Sequence, residues 1–342
     1  MSATESMPET TELGPFIVPR IWTGLWQLSG NAWGSAPAAK IRFDMAKYVD
    51  QGFTAFDMAD HYGSSEILFG QVRKTLPPAQ IVVGATKWCV FKRIDPTWNV
   101  VENAINERLE RMQTDCIDLL QFHWQHYEDH GYLTALRALL ELRSQGKIRS
   151  IGLCNFDSVR TDEICTDLGD GAIISNQVQF SLIDTRPLHG LKHVCEKHGI
   201  KLLTYGTVCG GFLADEWLDR PEPDLYSGNL TPSQRKYLDM ILKAWGDWQL
   251  FQSLLTVLRR IGDRHGGVSI ANVATRWVLD HPFVGAVIIG ARLGISDHTK
   301  DNLRVFTFAL ISEDLAAIDD ILAKSNGSRM IFTIGDCGAE YR

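Results

Sequence analysis

The sequence predicts an α/β fold: a closed (β/α)8 TIM barrel in a single domain, with a long loop between strands 7 and 8 and a C-terminal tail. Three observations carry this. Eight short apolar runs, rich in β-branched and aromatic residues, recur along the 342 residues, with amphipathic stretches of helical spacing between them. The first six steps between run centres span 25 to 36 residues, the length of one strand-helix unit. After the first run comes LSGNAWGSAP, with no GxGxxG turn, which disfavours an open, doubly wound dinucleotide sheet.

Each element follows in order. Met1 to Glu12 is polar and acidic, so residues 1–14 read as a flexible tail and 15–342 as the barrel domain. The strands are TGLWQL around Leu25, TAFDMA around Asp57, IVVGATK around Ala85, DLLQFHW around Gln121, IRSIGLCN around Gly152, ISNQVQ around Gln177, KLLTYG around Thr204 and GAVIIG around Ile288. Among the helices, Asn99 to Met112 puts Val100, Ala104, Ile105, Leu109 and Met112 on one face. Leu133 to Leu142 is a second, stopped by Gln145-Gly146. The last step between centres, 84 residues, holds an insertion. Its Pro- and Gly-punctuated part, residues 207–237, reads as a clasp or lid rather than a passive surface loop. Trp245, Trp248, Leu250, Phe251 and Leu254 form the buried face of the helix after it. Helices from Asp297 to Phe306 and from Ser312 to Lys324 close the chain before a tail, Met330 to Arg342, whose sequence does not decide between covering the pocket and trailing free.

Composition narrows the function. Lys plus Arg is 34 and Asp plus Glu is 41, a net charge of −7, which argues against a nucleic-acid partner. No apolar run reaches the ~18 residues of a membrane helix. Seven Cys without CxxC pairs, and no secretory signal in the N-terminal stretch, point to reduced thiols and a cytoplasmic location. Oligomeric state is not legible.

In a barrel, chemistry sits where strands end. The second run ends Asp57-Met58-Ala59-Asp60-His61-Tyr62-Gly63, the third Thr86-Lys87, the fourth Phe122-His123-Trp124. Asp57, Lys87 and His123 therefore share one rim, with Tyr62 on the adjoining loop. This set suits carbonyl reduction. Hydride arriving at a carbonyl carbon leaves charge on oxygen, and a group must donate a proton there. A phenol is a weak acid, and an adjacent ammonium lowers its pKa. Lys87 is placed to act on Tyr62, Asp57 to hold Lys87, and neutral His123 to donate a hydrogen bond to the carbonyl.

The ordered set DMADHYGSSEILFG, GATK, DLLQFHW, GLCNF, NQVQFS and GARLGISDHTKDNL resembles the aldo-keto reductases, from about Arg20 to Phe306. The resemblance implies a catalytic tetrad of Asp57, Tyr62, Lys87 and His123. It implies NADP(H) bound across the barrel mouth, with NAD possible. Gly24, Leu25, Trp26 and Asp57 would line the cofactor at the first two strand ends. Asn155 and Gln177 would hold the carboxamide, and Tyr205, followed by Gly206, would stack on the nicotinamide. Cys154 stands where the family usually has Ser. Gly290 and Arg292 would meet phosphate before a helix N-terminus, with Asp301 and Asn302 near adenine. His298 replaces an Arg frequent in strict NADP enzymes. The pattern after Tyr205, Gly206-Thr207-Val208-Cys209, departs from the usual Ser-Pro-Leu-Gly.

The substrate reading is a small-molecule carbonyl. Trp26, Trp33, Trp88 and Trp124, four of ten Trp, would give an aromatic-walled pocket; the competing reading packs two of them under the loops. No metal is expected: His123 and His126 form an HxxH beside Asp60 and His61, but only one strand end carries His. Cys89, Cys154 and Cys209 read as small hydrophobes rather than nucleophiles. The resulting function is reduction of an aldehyde or ketone with NADPH. Two alternatives stay open: a specialised enzyme acting on one elaborate intermediate, and a cofactor-binding regulatory subunit with little turnover.

Overall fold

The computed structural model describes residues 7–30, 33–226 and 228–342. Eight parallel strands close into a barrel: β1 Ile21–Gly24, β2 Ala55–Asp57, β3 Val83–Val90, β4 Ile117–Trp124, β5 Ile148–Cys154, β6 Ser175–Gln179, β7 Lys201–Tyr205 and β8 Val284–Gly290. Closure comes from β8 pairing with β1, Val287 opposite Ile21 through Gly290 opposite Gly24. All eight runs are strands, in the predicted order.

Three boundaries differ from the sequence reading. The first strand ends at Gly24, and Trp26–Ser29, read as its continuation, is a 3-10 turn. The third strand runs three residues past Lys87, because Trp88 and Val90 also point into packed surroundings. The tail read over 1–14 contains structure. Thr10–Leu13 pairs antiparallel with Phe16–Pro19, and Leu13, Phe16 and Val18 are buried against Trp22, Ala55, Val83 and Leu119. Strict alternation in so short a hairpin is easily missed, yet it stoppers the amino end of the barrel. Residues 1–6 of that expected tail lie outside the described residues.

The helix Trp98–Met112 buries Val101, Ile105, Arg108 and Met112, a face one residue round from the expected one, with Val100 exposed. The seventh connection folds into two 3-10 turns, Cys209–Gly211 and Asp215–Trp217, and a helix, Pro232–Met240, started by a Thr231–Gln234 capping box. Trp245, in the π-helical turn Ile241–Trp245, and Trp248, Phe251 and Leu254, in the helix Trp248–Arg264, are buried as expected. The helix expected over 297–306 is Thr299–Leu303 with a 3-10 turn to Phe306; Ser312–Leu322 is the next.

The barrel interior is graded along its axis. Its lower layers are apolar: Trp22, Ala55, Val83, Ala85, Leu119, Leu203 and Ala286. Its upper layer is polar: Asp57, Lys87, Gln121 and Gln177, all buried. The chemistry-bearing residues therefore sit on rigid strands at the carboxyl rim.

Candidate active site

A buried ion pair anchors the rim. Lys87 Nζ donates to both Asp57 carboxylate oxygens at 2.7 Å and to the Met58 carbonyl at 3.0 Å. Asp57 Oδ1 also accepts from Gln121 Nε2 at 2.8 Å and Gln177 Nε2 at 2.7 Å. One carboxylate thus ties β2, β3, β4 and β6 together. Lys87 is 2% exposed at its side chain and Asp57 5%. Burial works against the charge on Lys87, but Asp57 and Tyr62 prevail and raise its pKa, so the ammonium is fixed. Gln121, two residues before His123 and hence on the same strand face, was not singled out from the sequence.

The Lys87 ammonium stands over the Tyr62 ring, 4.8 Å from its centroid. The sequence reading has Lys87 lower the phenol's pKa. The net shift runs the other way: burial of the hydroxyl pushes the pKa up, and Lys87 is the one influence pulling it down. The phenol therefore stays protonated, and the ammonium is positioned to stabilise the anion left once it has donated.

His123 differs from expectation in one respect. Its Nδ1 lies 3.0 Å from the Cys154 carbonyl oxygen. A carbonyl can only accept, so Nδ1 carries a proton. Burial lowers the imidazole pKa to about 4 despite that bond. A neutral His123 consequently presents Nε2 as a lone pair rather than the expected N–H. Phe91 packs 5.5 Å from the imidazole, centroid to centroid, and Tyr341 meets it edge-on at 6.2 Å.

The residues matched to a dinucleotide fall into three groups. At the rim centre, Asn155 follows β5 with φ 60°, and its side-chain oxygen accepts from the Tyr205 hydroxyl at 2.9 Å. Gln177 commits Nε2 to Asp57 and to Gln121 Oε1, leaving its own oxygen for an amide N–H. Gly206, with φ 71°, has no room for a side chain: a Cβ would lie 2.1 Å from the Tyr237 hydroxyl. At the first strand end, Gly24 packs against Ile288, and Leu25 is buried with its N–H on the Asp57 carbonyl, so neither offers a side chain to a ligand, whereas Trp26 is part-exposed. At β8, Gly290 lies under the Gln27 amide, Arg292 is exposed, and His298 and Asn302 line a small cavity with Thr23, whose buried hydroxyl has no partner. Two expectations here need correction. The N-terminus of Thr299–Leu303 is already capped by Asp297 Oδ1, 2.9 Å from the Thr299 nitrogen. Asp301 holds Ser269 and Asn272 at 2.9 and 3.1 Å, a bond to the neighbouring helix. Amide pairs, an aromatic platform and an exposed cation on one rim fit a nicotinamide dinucleotide.

The tail covers the rim. Tyr341 lies with its hydroxyl 3.1 Å from that of Tyr205, and Lys236 Nζ donates to it at 2.7 Å. Arg342 donates to the Asn155 carbonyl at 2.9 Å and to the Tyr127 hydroxyl at 2.7 Å. Buried Arg186 joins Asp184 to Glu340 at 2.7 and 3.0 Å. No pattern in the last residues of the sequence pointed to this, since the contacts depend on the tail's path. Of the four Trp expected in the pocket, Trp88 and Trp124 are instead core, packed on Phe122 at 5.4 and 5.8 Å. Trp33 is buried against Trp26, 4.6 Å between centroids. Trp26 and exposed Phe91 are what aromatic surface remains. Among the described residues, one group with metal-ligand spacing occurs, Asp60, His61 and Cys89; Asp60 is already held by Arg108 at 2.5 Å and the Cys89 N–H at 2.9 Å.

Comparison with known proteins agrees with the geometry. The model of the Aldo/keto reductase family matches residues 20–323. The chain is 27% identical over 310 residues to the aldo-keto reductase YhdN of Bacillus subtilis, covering 89% of each. It is 28% identical over 315 residues to an NADH-specific methylglyoxal reductase of Escherichia coli, covering 86% of this chain and 92% of the relative. Among solved structures, the glycerol dehydrogenase of Gluconobacter oxydans superposes with a TM-score of 0.72 at 26% identity, over 92% of this chain and 95% of that one. A Klebsiella pneumoniae aldo/keto reductase in complex with NADP and acetate shares the fold, with a TM-score of 0.69 at 22% identity, over 92% and 96%.

Proposed function

The chain belongs to the aldo/keto reductase family, and on that footing we propose that it reduces an aldehyde or ketone to an alcohol with NADPH, Tyr62 being the proton donor. The observation that carries the reading is the buried Lys87, bonded to Asp57 and set over the Tyr62 ring. The bound cofactor supplies hydride to the carbonyl carbon. Tyr62 gives its proton to the carbonyl oxygen as charge develops there, and Lys87 stabilises the phenolate that results. Asp57, held in turn by Gln121 and Gln177, keeps the ammonium in place. Asn155 and the free oxygen of Gln177 would bind the carboxamide, Tyr205 would support the ring, and Arg292 would meet phosphate. The reverse reaction, alcohol oxidation, uses the same groups.

NADH is the alternative donor. The Escherichia coli relative is named NADH-specific, the Klebsiella neighbour was solved with NADP, and His298 stands at the position that separates the two in the sequence reading. The partner is a small molecule; the acidic net charge of −7 does not suit nucleic acid. Among the described residues no helix is long and apolar enough to cross a membrane. Seven unpaired thiols suit the reducing cytoplasm.

The test is Tyr62→Phe. NADPH binding, followed by fluorescence, is expected to survive, while carbonyl reduction falls by about 10²- to 10⁴-fold. Near wild-type turnover in that variant removes Tyr62 from the acid role. Titration with NADPH and NADH in parallel ranks the two cofactors.

A further inference from the structure

His123 is 3% exposed, and its Nε2 has no hydrogen-bond partner among the described residues. A buried polar atom without a partner is costly, and native sites keep one where a ligand meets it. The character of this atom is fixed from the other side of the ring. The Cys154 carbonyl at 3.0 Å accepts the Nδ1 proton, so the neutral ring has only a lone pair at Nε2. Phe91 and Tyr341 crowd the ring with aromatic surface and bring no donor to Nε2; the Tyr341 hydroxyl is engaged with Lys236 and Tyr205.

A simple carbonyl has no proton to offer Nε2. Its oxygen accepts from Tyr62, and its flanking C–H groups leave Nε2 unmet in a desolvated place. A hydroxyl on the carbon next to the carbonyl supplies what is missing. We propose that His123 Nε2 is a hydrogen-bond acceptor for a substrate hydroxyl, making the preferred substrates α-hydroxy carbonyl compounds and the products vicinal diols. This rests on the reductase reading and adds a substrate class to it. His123 becomes a specificity residue, with Tyr62 left as the donor to the reacting oxygen.

Two measurements on the full chain decide the matter. The first is ¹⁵N NMR of histidine-labelled protein, with the His123→Gln spectrum used for assignment. Nδ1 is expected to carry the bonded proton and Nε2 none; a proton on Nε2 in the neutral ring overturns the proposal. The second compares hydroxyacetone with acetone. Wild type is expected to favour hydroxyacetone in kcat/KM by roughly tenfold to a hundredfold, the range for an unmet buried acceptor. In His123→Phe that ratio collapses toward one, and in His123→Gln, whose amide oxygen can still accept, part of it returns. A wild-type ratio near one, or a ratio that His123→Phe leaves unchanged, overturns the proposal. Loss of turnover on both ketones defeats the reductase reading instead. Calorimetry with 1,2-propanediol and 2-propanol in the presence of NADP+ then tests the acceptor without chemistry. Roughly tenfold tighter diol binding supports it, and equal affinities refute it.

Discussion

Replacing Lys87 with Met removes one partner of the Asp57 pair and leaves the other where it is. The carboxylate stays in the barrel interior with two amide donors, Gln121 and Gln177, in place of an ammonium at 2.7 Å. Methionine fills the volume, so the cost is electrostatic and not a cavity. Breaking a buried pair by deleting one member costs about 3–5 kcal/mol, a large share of the ~5–15 kcal/mol that holds a domain together. Urea denaturation at neutral pH should report that loss. Asp57→Asn combined with Lys87→Met should recover most of it, because the neutral amide no longer needs a countercharge. The pair has a second signature. The Lys87 pKa is raised above its model value of 10.5, so its contribution is complete below that pH and is lost as pH rises through the folded value. Wild type should therefore lose stability faster than Lys87→Met above about pH 10.5. If the single variant unfolds within about 0.5 kcal/mol of wild type, the scale of an ordinary surface change, the carboxylate is solvated and the account of the rim is wrong.

Three further outcomes follow from the same geometry. His123 and His281 both have pKa values lowered to about 4, chiefly by burial. Stability should be complete above pH 6.5 and fall as pH drops toward 4, at about 1.4 kcal/mol per pH unit for each ring that stays neutral; denaturation midpoints from pH 7 to 4.5 check this, with His281→Phe flattening the slope. Gly206→Ala should destabilise by about 2–5 kcal/mol, since it combines a left-handed φ with overpacking against Tyr237, and the loss is read in urea. Trp124→Ala should cost about 3–5 kcal/mol as a core truncation, whereas Trp26→Ala, at the part-exposed rim, should alter KM for bulky carbonyls with little change in melting.

The barrel was legible because every strand repeats one signal, an apolar run ended by polar residues, at a spacing only a strand-helix unit fits. Asp57, Lys87 and His123 were legible for the same reason: a charged residue at the end of an apolar strand stands out locally. What the sequence did not disclose depends on direction. Trp88 and Trp124 neighbour Lys87 and His123 in the chain, but alternation sends adjacent side chains to opposite faces, so those rings pack on Phe122 outside the barrel. Gln121 is silent for the opposite reason, being an uncharged residue inside an apolar run whose two-residue offset from His123 is its sole marker. The His123 tautomer depends on a backbone carbonyl one strand away, which no side-chain pattern encodes. The hairpin and the C-terminal cover are short segments whose docking comes from tertiary contacts, and their composition reads as tail.

The molecule divides its labour along these lines. Asp57, Lys87, Gln121 and Gln177 come from four strands and bond to one another inside the barrel, so their positions are set by the same contacts that close it. A change in a loop cannot shift them far without breaking buried hydrogen bonds. Trp26, Phe91, Tyr341 and the Lys236 that holds Tyr341 come from the turn after β1, the residue after β3, the C-terminus and the insertion, none of which contributes to barrel closure. Proton transfer is thus committed to rigid elements and recognition to movable ones, the arrangement that lets one fold serve many substrates. His123 belongs to both groups. Its ring is carried by a strand, yet its free nitrogen faces the aromatic surface supplied by Phe91 and the tail. For that reason a substitution at Tyr341 should change which carbonyl compounds are taken without moving the Asp57–Lys87–Tyr62 arrangement that acts on them.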